Sequence, residues 1–238
     1  MRVDVWSDVV CPWCFVGLAN LERAMEGFEH GAEVDVVLHS FELDPNAPAE
    51  DPRTLTELLA RKYGTTPEQI EGSQSRIVAL GAERGIDFRF DRCRRANSFD
   101  AHRLLHLAGE RGHQLELKHR LGRAYFTDGE LISDHDVLRK AAVDVGLDPA
   151  EVDDVLGSER YAAEVRADEA EAHEIGVGGV PFFVFDGRLG LSGAQPPEAL
   201  QRVLERAWPE RVTGAIAMVD DAAGPTDTEL CGPDGCDI

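Results

Sequence analysis

The chain has 238 residues, with 24 Lys+Arg against 45 Asp+Glu for a net charge of −21, and 43% of it is hydrophobic. That is enough apolar material for one globular domain, or for one domain carrying a large insertion. So acidic a balance repels phosphate backbones and anionic headgroups, which argues against nucleic-acid and membrane-surface partners, and no apolar run approaches the ~20 residues of a bilayer span. The first residues, Met1 to Trp6, lack the apolar stretch of a secretory signal, so the expected compartment is the cytoplasm.

Taken from the N-terminus, Val3 and Val5 alternate with polar neighbours ahead of Trp6, and Val34, Val36, Leu38 and Phe41 repeat the habit, so two strands are expected. Leu18, Leu21, Met25 and Phe28 fall between them at spacings of three and four, on one face of a helix that Gly31 is expected to stop. Strand, helix and strand in this order predict a βαβ unit with parallel strands and a right-handed crossover. The pattern then turns helical, with helices expected over 55–63, 67–84, 98–110, 115–126, 136–145 and 158–175. Thr66 ahead of Pro67, and Asn97 with Asp100 three residues on, are capping signals. Val180 to Phe185, a turn at Asp186 and Gly187, and Leu189 to Leu191 read as a hairpin, followed by a helix over 197–207. The expected fold is α/β, a core of residues 1–43 and 176–208 split by an all-helical insertion over 44–175. Residues 209–238 are turn-rich and poor in large apolar groups, which marks a C-terminal tail.

The five cysteines are Cys11, Cys14, Cys93, Cys231 and Cys236. In a reducing cytosol, paired cysteines serve redox chemistry or metal binding more often than structural cross-linking. Cys11 falls where the first strand gives way to the first helix, with Pro12 at the first helical position, where proline's missing N–H costs nothing. The sulfur at such a helix start faces unsatisfied amides and the positive end of the helix dipole, both of which favour a thiolate. Cys14, one turn on, is suited to resolve a mixed disulfide formed on Cys11. Two other readings of the pair are a buried, inert couple and a zinc site completed by Cys231 and Cys236.

Four segments carry a resemblance to a known family: residues 7–17 around Cys11-Pro12-Trp13-Cys14, residues 41–45, residues 97–104, and residues 178–183 with Val180 and Pro181. Together they resemble the DsbA family of thioredoxin-fold oxidoreductases, and within it the cytoplasmic FrnE-like branch. The resemblance runs from residue 1 to about 207. It implies a thioredoxin-like core with a helical insertion, catalysis by Cys11 and Cys14, and a cis-proline loop at Val180 and Pro181 that contacts substrate together with Trp13. It implies no cofactor beyond the redox-active disulfide, with glutathione or other thiols and disulfides, of proteins or small molecules, as partners. Periplasmic members usually carry histidine where Trp13 stands, so a less oxidising disulfide is expected.

The remaining candidates rank lower. Cys231 and Cys236 enclose a Gly-Pro-Asp-Gly turn, too short a loop for a strong staple and better suited to an auxiliary or regulatory dithiol. Cys93 lies among Arg89, Arg92, Arg94 and Arg95, which either activate it or pair with the many carboxylates. Asn97 and His102 are supporting candidates, the plainer readings being a helix cap and a packed or solvated side chain. Two alternatives to the oxidoreductase follow: a glutathione-dependent isomerase or transferase of the same architecture, which resembles this chain but carries serine in place of Cys11, and a zinc-held interaction or chaperone module.

Overall fold

The computed structural model describes residues 1–208 and 216–219. One sheet holds five strands: β1 (Arg2–Ser7), β2 (Asp35–Ser40), β3 (Phe182–Phe185), β4 (Leu189–Ser192) and β5 (Ala217–Met218), in the order β2-β1-β3-β4-β5. β1 and β2 run parallel with Val5 opposite Leu38, while β3 runs antiparallel to β1 with Phe183 opposite Val5. The crossover between β1 and β2 is helix α1 (Pro12–Glu26), so the expected βαβ unit is present. The helix stops earlier than expected, at Glu26 rather than near Gly31, and Gly31–Glu33 instead form a short 3-10 turn.

The chain divides into two compact units. Of the described residues, the first contains 1–7, 13–41, 168–208 and 216–219. It is the sheet with most of α1 and α9 (Pro197–Ala207), and its core holds Val3, Val5, Leu21, Phe183, Phe185 and Leu200. The hairpin of β3 and β4 turns at Asp186 and Gly187, both at positive φ, the conformation that Asp and Gly tolerate best.

The second unit contains residues 8–12 and 42–167. Its helices are α2 (Leu55–Tyr63), α3 (Pro67–Ala82), α4 (Phe99–Arg111), α5 (Gln114–Gly122), α6 (His135–Asp144), α7 (Pro149–Gly157) and the start of α8 (Ala162–Glu174). α2 and α3 begin with complete capping boxes, at Thr54 with Glu57 and at Thr66 with Gln69. Two expectations need correction. α7 was not anticipated, although Asp148 capping Pro149 is a helix start, its carboxylate accepting the amides of Ala150 and Glu151. The helix expected over 115–126 ends at Gly122 and widens into a π turn, Arg123–Asp128, that buries Ala124, Tyr125 and Phe126 consecutively.

Candidate active site

β1 delivers the chain to Asp8, a turn at Val9 and Val10 follows, and Cys11 directly precedes Pro12, the first residue of α1. Cys14 is thus in the first turn of the helix. The attacking role expected of Cys11, with Cys14 resolving, calls for Cys11 to be the more accessible sulfur. In the structure access does not separate them: Cys11 is 0% exposed, Cys14 1% and Trp13 6%, and Pro12 is buried too. The apolar surroundings of the motif, with Val9 and Val16 also buried, are the reason.

Val180 and Pro181 are buried ahead of β3, and the peptide bond between them is cis. The Pro181 carbonyl accepts the Gly193 amide at 2.8 Å, which ties the loop to the end of β4. The same loop seats on α1: a Cβ built on Gly17 would stand 2.9 Å from Pro181 Cγ. Asn20, one turn further along α1, donates to the Gln195 carbonyl at 2.8 Å. Within the first unit, then, the helix that bears Cys14 and the proline loop are locked together.

Asp8 did not stand out in the sequence. Its side chain is wholly buried, with Oδ1 accepting the Val10 amide at 3.4 Å and His102 Nε2 at 3.2 Å, and Oδ2 accepting the Leu43 amide at 2.8 Å. Burial pushes the carboxyl up, but the hydrogen bond and charge of His102, the Leu43 amide and the charge of Lys118 outweigh it and hold Asp8 below its ordinary value. The signal available in the sequence was an acidic residue inside the apolar run from Val5 to Val10, where a charge persists only if it is paired. His102, 1% exposed on α4, is therefore neither solvated nor merely packed: it is a hydrogen-bond partner of the segment that carries Cys11.

Asn97 acts near the start of α4, but Ser98 occupies the cap position; Asn97 Oδ1 accepts the Phe99 amide at 2.9 Å and its Nδ2 donates to Glu42 at 3.3 Å. The arginines around Cys93 pair with carboxylates, Arg94 with Glu50 and Arg95 with Asp44 and Asp51. Burial, aided by Asp91, pushes the Cys93 thiol up to about 12, so the activating reading fails. Cys231 and Cys236 lie outside the described residues.

A second charged group sits in the sheet unit. His39 stacks on Trp6 at 4.4 Å, with Nδ1 2.9 Å from Asp168 and Nε2 2.7 Å from Asp4. Ligand-capable atoms of His39, Asp168 and Glu171 all lie within 4.8 Å of one another, but both ring nitrogens of His39 are already hydrogen-bonded to carboxylates.

Known proteins are similar to this chain in sequence or fold. A probable DsbA oxidoreductase from Streptomyces coelicolor is 42% identical, with a TM-score of 0.85 over 100% of this chain and 99% of that one. YwbO of Bacillus subtilis is 28% identical over 207 residues, 86% of this chain and 96% of its own length. The cytosolic disulfide reductase DsbM of Pseudomonas aeruginosa has the same fold at 21% identity, with a TM-score of 0.61 over 87% of this chain and 98% of that one. The DSBA-like thioredoxin domain matches residues 2–205, which takes in the Cys11 motif, the helices and the Pro181 loop, and the chain belongs to that family.

Proposed function

We propose that the protein is a thiol–disulfide oxidoreductase in which Cys11 and Cys14 form the reactive couple. The observation that carries this reading is the position of the pair: Cys11 immediately ahead of the first helical residue and Cys14 within the first turn, in a chain of the DSBA-like family. The Cys11 thiolate attacks a substrate disulfide, forming a mixed disulfide and releasing one substrate thiolate. The Cys14 thiolate then attacks Cys11 Sγ, closing the Cys11–Cys14 disulfide and expelling the second substrate thiol. Run backwards, the same steps oxidise a substrate dithiol, and escape before resolution gives isomerisation.

Because Cys11 is fully buried, a bulky disulfide reaches it only after local opening, so small disulfides should react faster than folded proteins. Val180, Pro181 and Trp13 are proposed to contact the substrate. Glutathione is a fitting redox partner: the structure of DsbM with GSH shares this fold. The FrnE-like branch, a cytoplasmic location, and an auxiliary role for Cys231 and Cys236 belong to the same proposal. Among the described residues no helix is long and apolar enough to cross a membrane.

The decisive experiment equilibrates the full chain in graded glutathione buffers and maps each cysteine by differential alkylation and mass spectrometry. A reversible two-electron titration of Cys11 with Cys14, at a midpoint within about −120 to −270 mV, is expected. Cys14→Ser should accumulate a mixed disulfide on Cys11 and lose turnover. Both cysteines staying reduced across the whole range would refute the proposal.

A further inference from the structure

Asn20 is 2% exposed, and a buried amide on a helix that otherwise packs through Leu18, Leu21 and Ala24 is costly unless it is hydrogen-bonded. Its Nδ2 donates at 2.8 Å to the carbonyl of Gln195, in the short segment between β4 and α9. Two residues back along that segment, the Gly193 amide donates to the Pro181 carbonyl at 2.8 Å. The segment between these two grips has little freedom. Gly193 is held at a φ of +81°, the Gln195 amide donates back to the Gly193 carbonyl at 2.9 Å, and the Gln195 side chain donates to the Ser192 carbonyl at 2.9 Å. Pro196 and Pro197 follow, their rings fixing φ and restricting Gln195 to extended backbone. On α1, Cys14, Gly17 and Asn20 succeed one another at three-residue steps, and the Cβ position of Gly17 lies 2.9 Å from Pro181 Cγ and 3.4 Å from Ala194 Cα. A strut this short and stiff passes a displacement at Asn20 on to Pro181 instead of absorbing it.

We propose that Asn20 is a positioning residue for substrate: through Gln195 and Gly193 it sets where the Pro181 loop stands against α1, and so how well a disulfide carried on a peptide is bound. This rests on the reading of Val180 and Pro181 as substrate contacts and narrows it to one substrate class. An extended peptide offers backbone groups that a loop backbone can pair with, whereas a disulfide without peptide groups offers none. Asn20 therefore governs peptide disulfides selectively, which a residue that merely holds the fold together does not do.

In the test, reduced full-chain protein is mixed with excess disulfide. Formation of the Cys11–Cys14 disulfide, with release of two equivalents of thiol, is timed by acid quenching, alkylation and mass spectrometry. Two probes are compared: oxidised glutathione, which carries peptide groups, and bis(2-hydroxyethyl) disulfide, which carries none. Asn20→Leu, which fills similar space without an N–H, should slow the reaction with oxidised glutathione about five- to tenfold, the scale of one lost hydrogen bond, and leave the hydroxyethyl disulfide within about twofold. Asn20→Asp should show the same selective loss at pH 8, where a carboxylate cannot donate, and recover most of it at pH 5, where the protonated acid can; the ratio of the two rates cancels the titration of the thiols. Equal slowing of both disulfides in folded variants, or no change in either, would overturn the inference. Folding is checked by circular dichroism and melting, and if one variant does not fold the other decides alone. Failure of the underlying reading looks different: the unaltered protein would then form no Cys11–Cys14 disulfide with either probe.

Discussion

Gly17 and Pro181 approach so closely that a Cβ on Gly17 would lie 2.9 Å from the proline ring and 3.2 Å from the ring of Phe183. Gly17 is on the face of α1 one turn beyond Cys14, so the missing side chain is what lets the proline loop seat on the helix that carries Cys14.

Alanine at position 17 would favour the helix by about 1 kcal/mol on propensity alone. Overpacking against a rigid proline ring costs about 1–3 kcal/mol, and that is the larger effect. Gly17→Ala should therefore lower stability by about 1 kcal/mol and disturb the proline loop. Gly72→Ala, on α3 where a Cβ meets nothing within 4 Å, should raise stability by about 0.5–1 kcal/mol. Denaturant midpoints moving in opposite directions are the expected result; a Gly17→Ala protein as stable as Gly72→Ala would show that the loop yields freely.

His39 gives the sheet unit a pH dependence. Burial pushes its imidazole down, but the carboxylates of Asp168 and Asp4 outweigh burial and raise it from 6.5 to about 9. A raised folded value means that the stabilisation is fully present below pH about 6.5 and is lost as pH rises through about 9. The contribution is on the order of 3 kcal/mol. Melting temperature should fall between pH 7 and pH 10, and His39→Gln should flatten that slope while lowering stability at pH 6.

Arg103 staples the second unit. It is 4% exposed, donates to the Arg160 carbonyl at 2.9 Å and to Asp100 at 2.8 Å, and also reaches the carbonyls of Val155 and Ser158 at the end of α7. Arg103→Met strands these acceptors and should cost about 3–5 kcal/mol. Lysine, a point charge without the planar fork, should recover less than half of it. Urea unfolding of the two variants measures both numbers, and full rescue by lysine would contradict the role of the fork.

Cys93 should be inert in the folded protein. Its thiol points at the carbonyls of Arg89 and Tyr125, each 3.6 Å away, and is pushed up to about 12. At pH 8 iodoacetamide should leave Cys93 untouched in native protein and label it readily in guanidinium chloride. Rapid native labelling would show that the arginines around it activate the sulfur after all.

Local chemistry is why so much of this protein is readable in its sequence. The alternation at Val3 and Val5, the spacing of Leu18 and Leu21, and the Asp186–Gly187 turn each express a short-range preference of backbone and side chain, and each element formed where that preference lies. The placement of the Cys11–Cys14 motif was legible for the same reason: the Cys11 and Pro12 order marks a helix start, and the cysteine spacing follows from one helical turn. Where local signals were weak or overridden, the reading slipped, as at the end of α1 and in the π turn that buries Tyr125 and Phe126.

What the tertiary structure alone decided concerns groups distant in sequence. Asp8 and His102 are 94 residues apart, and His39 and Asp168 are 129 apart; nothing local to either partner announces the other. Burial likewise is a property of the packed chain, so Cys11 and Cys14 could be recognised from sequence while their equal inaccessibility could not. A sequence states which groups a chain owns, and the fold decides which charges leave water together, because only long-range packing removes solvent from both partners at once.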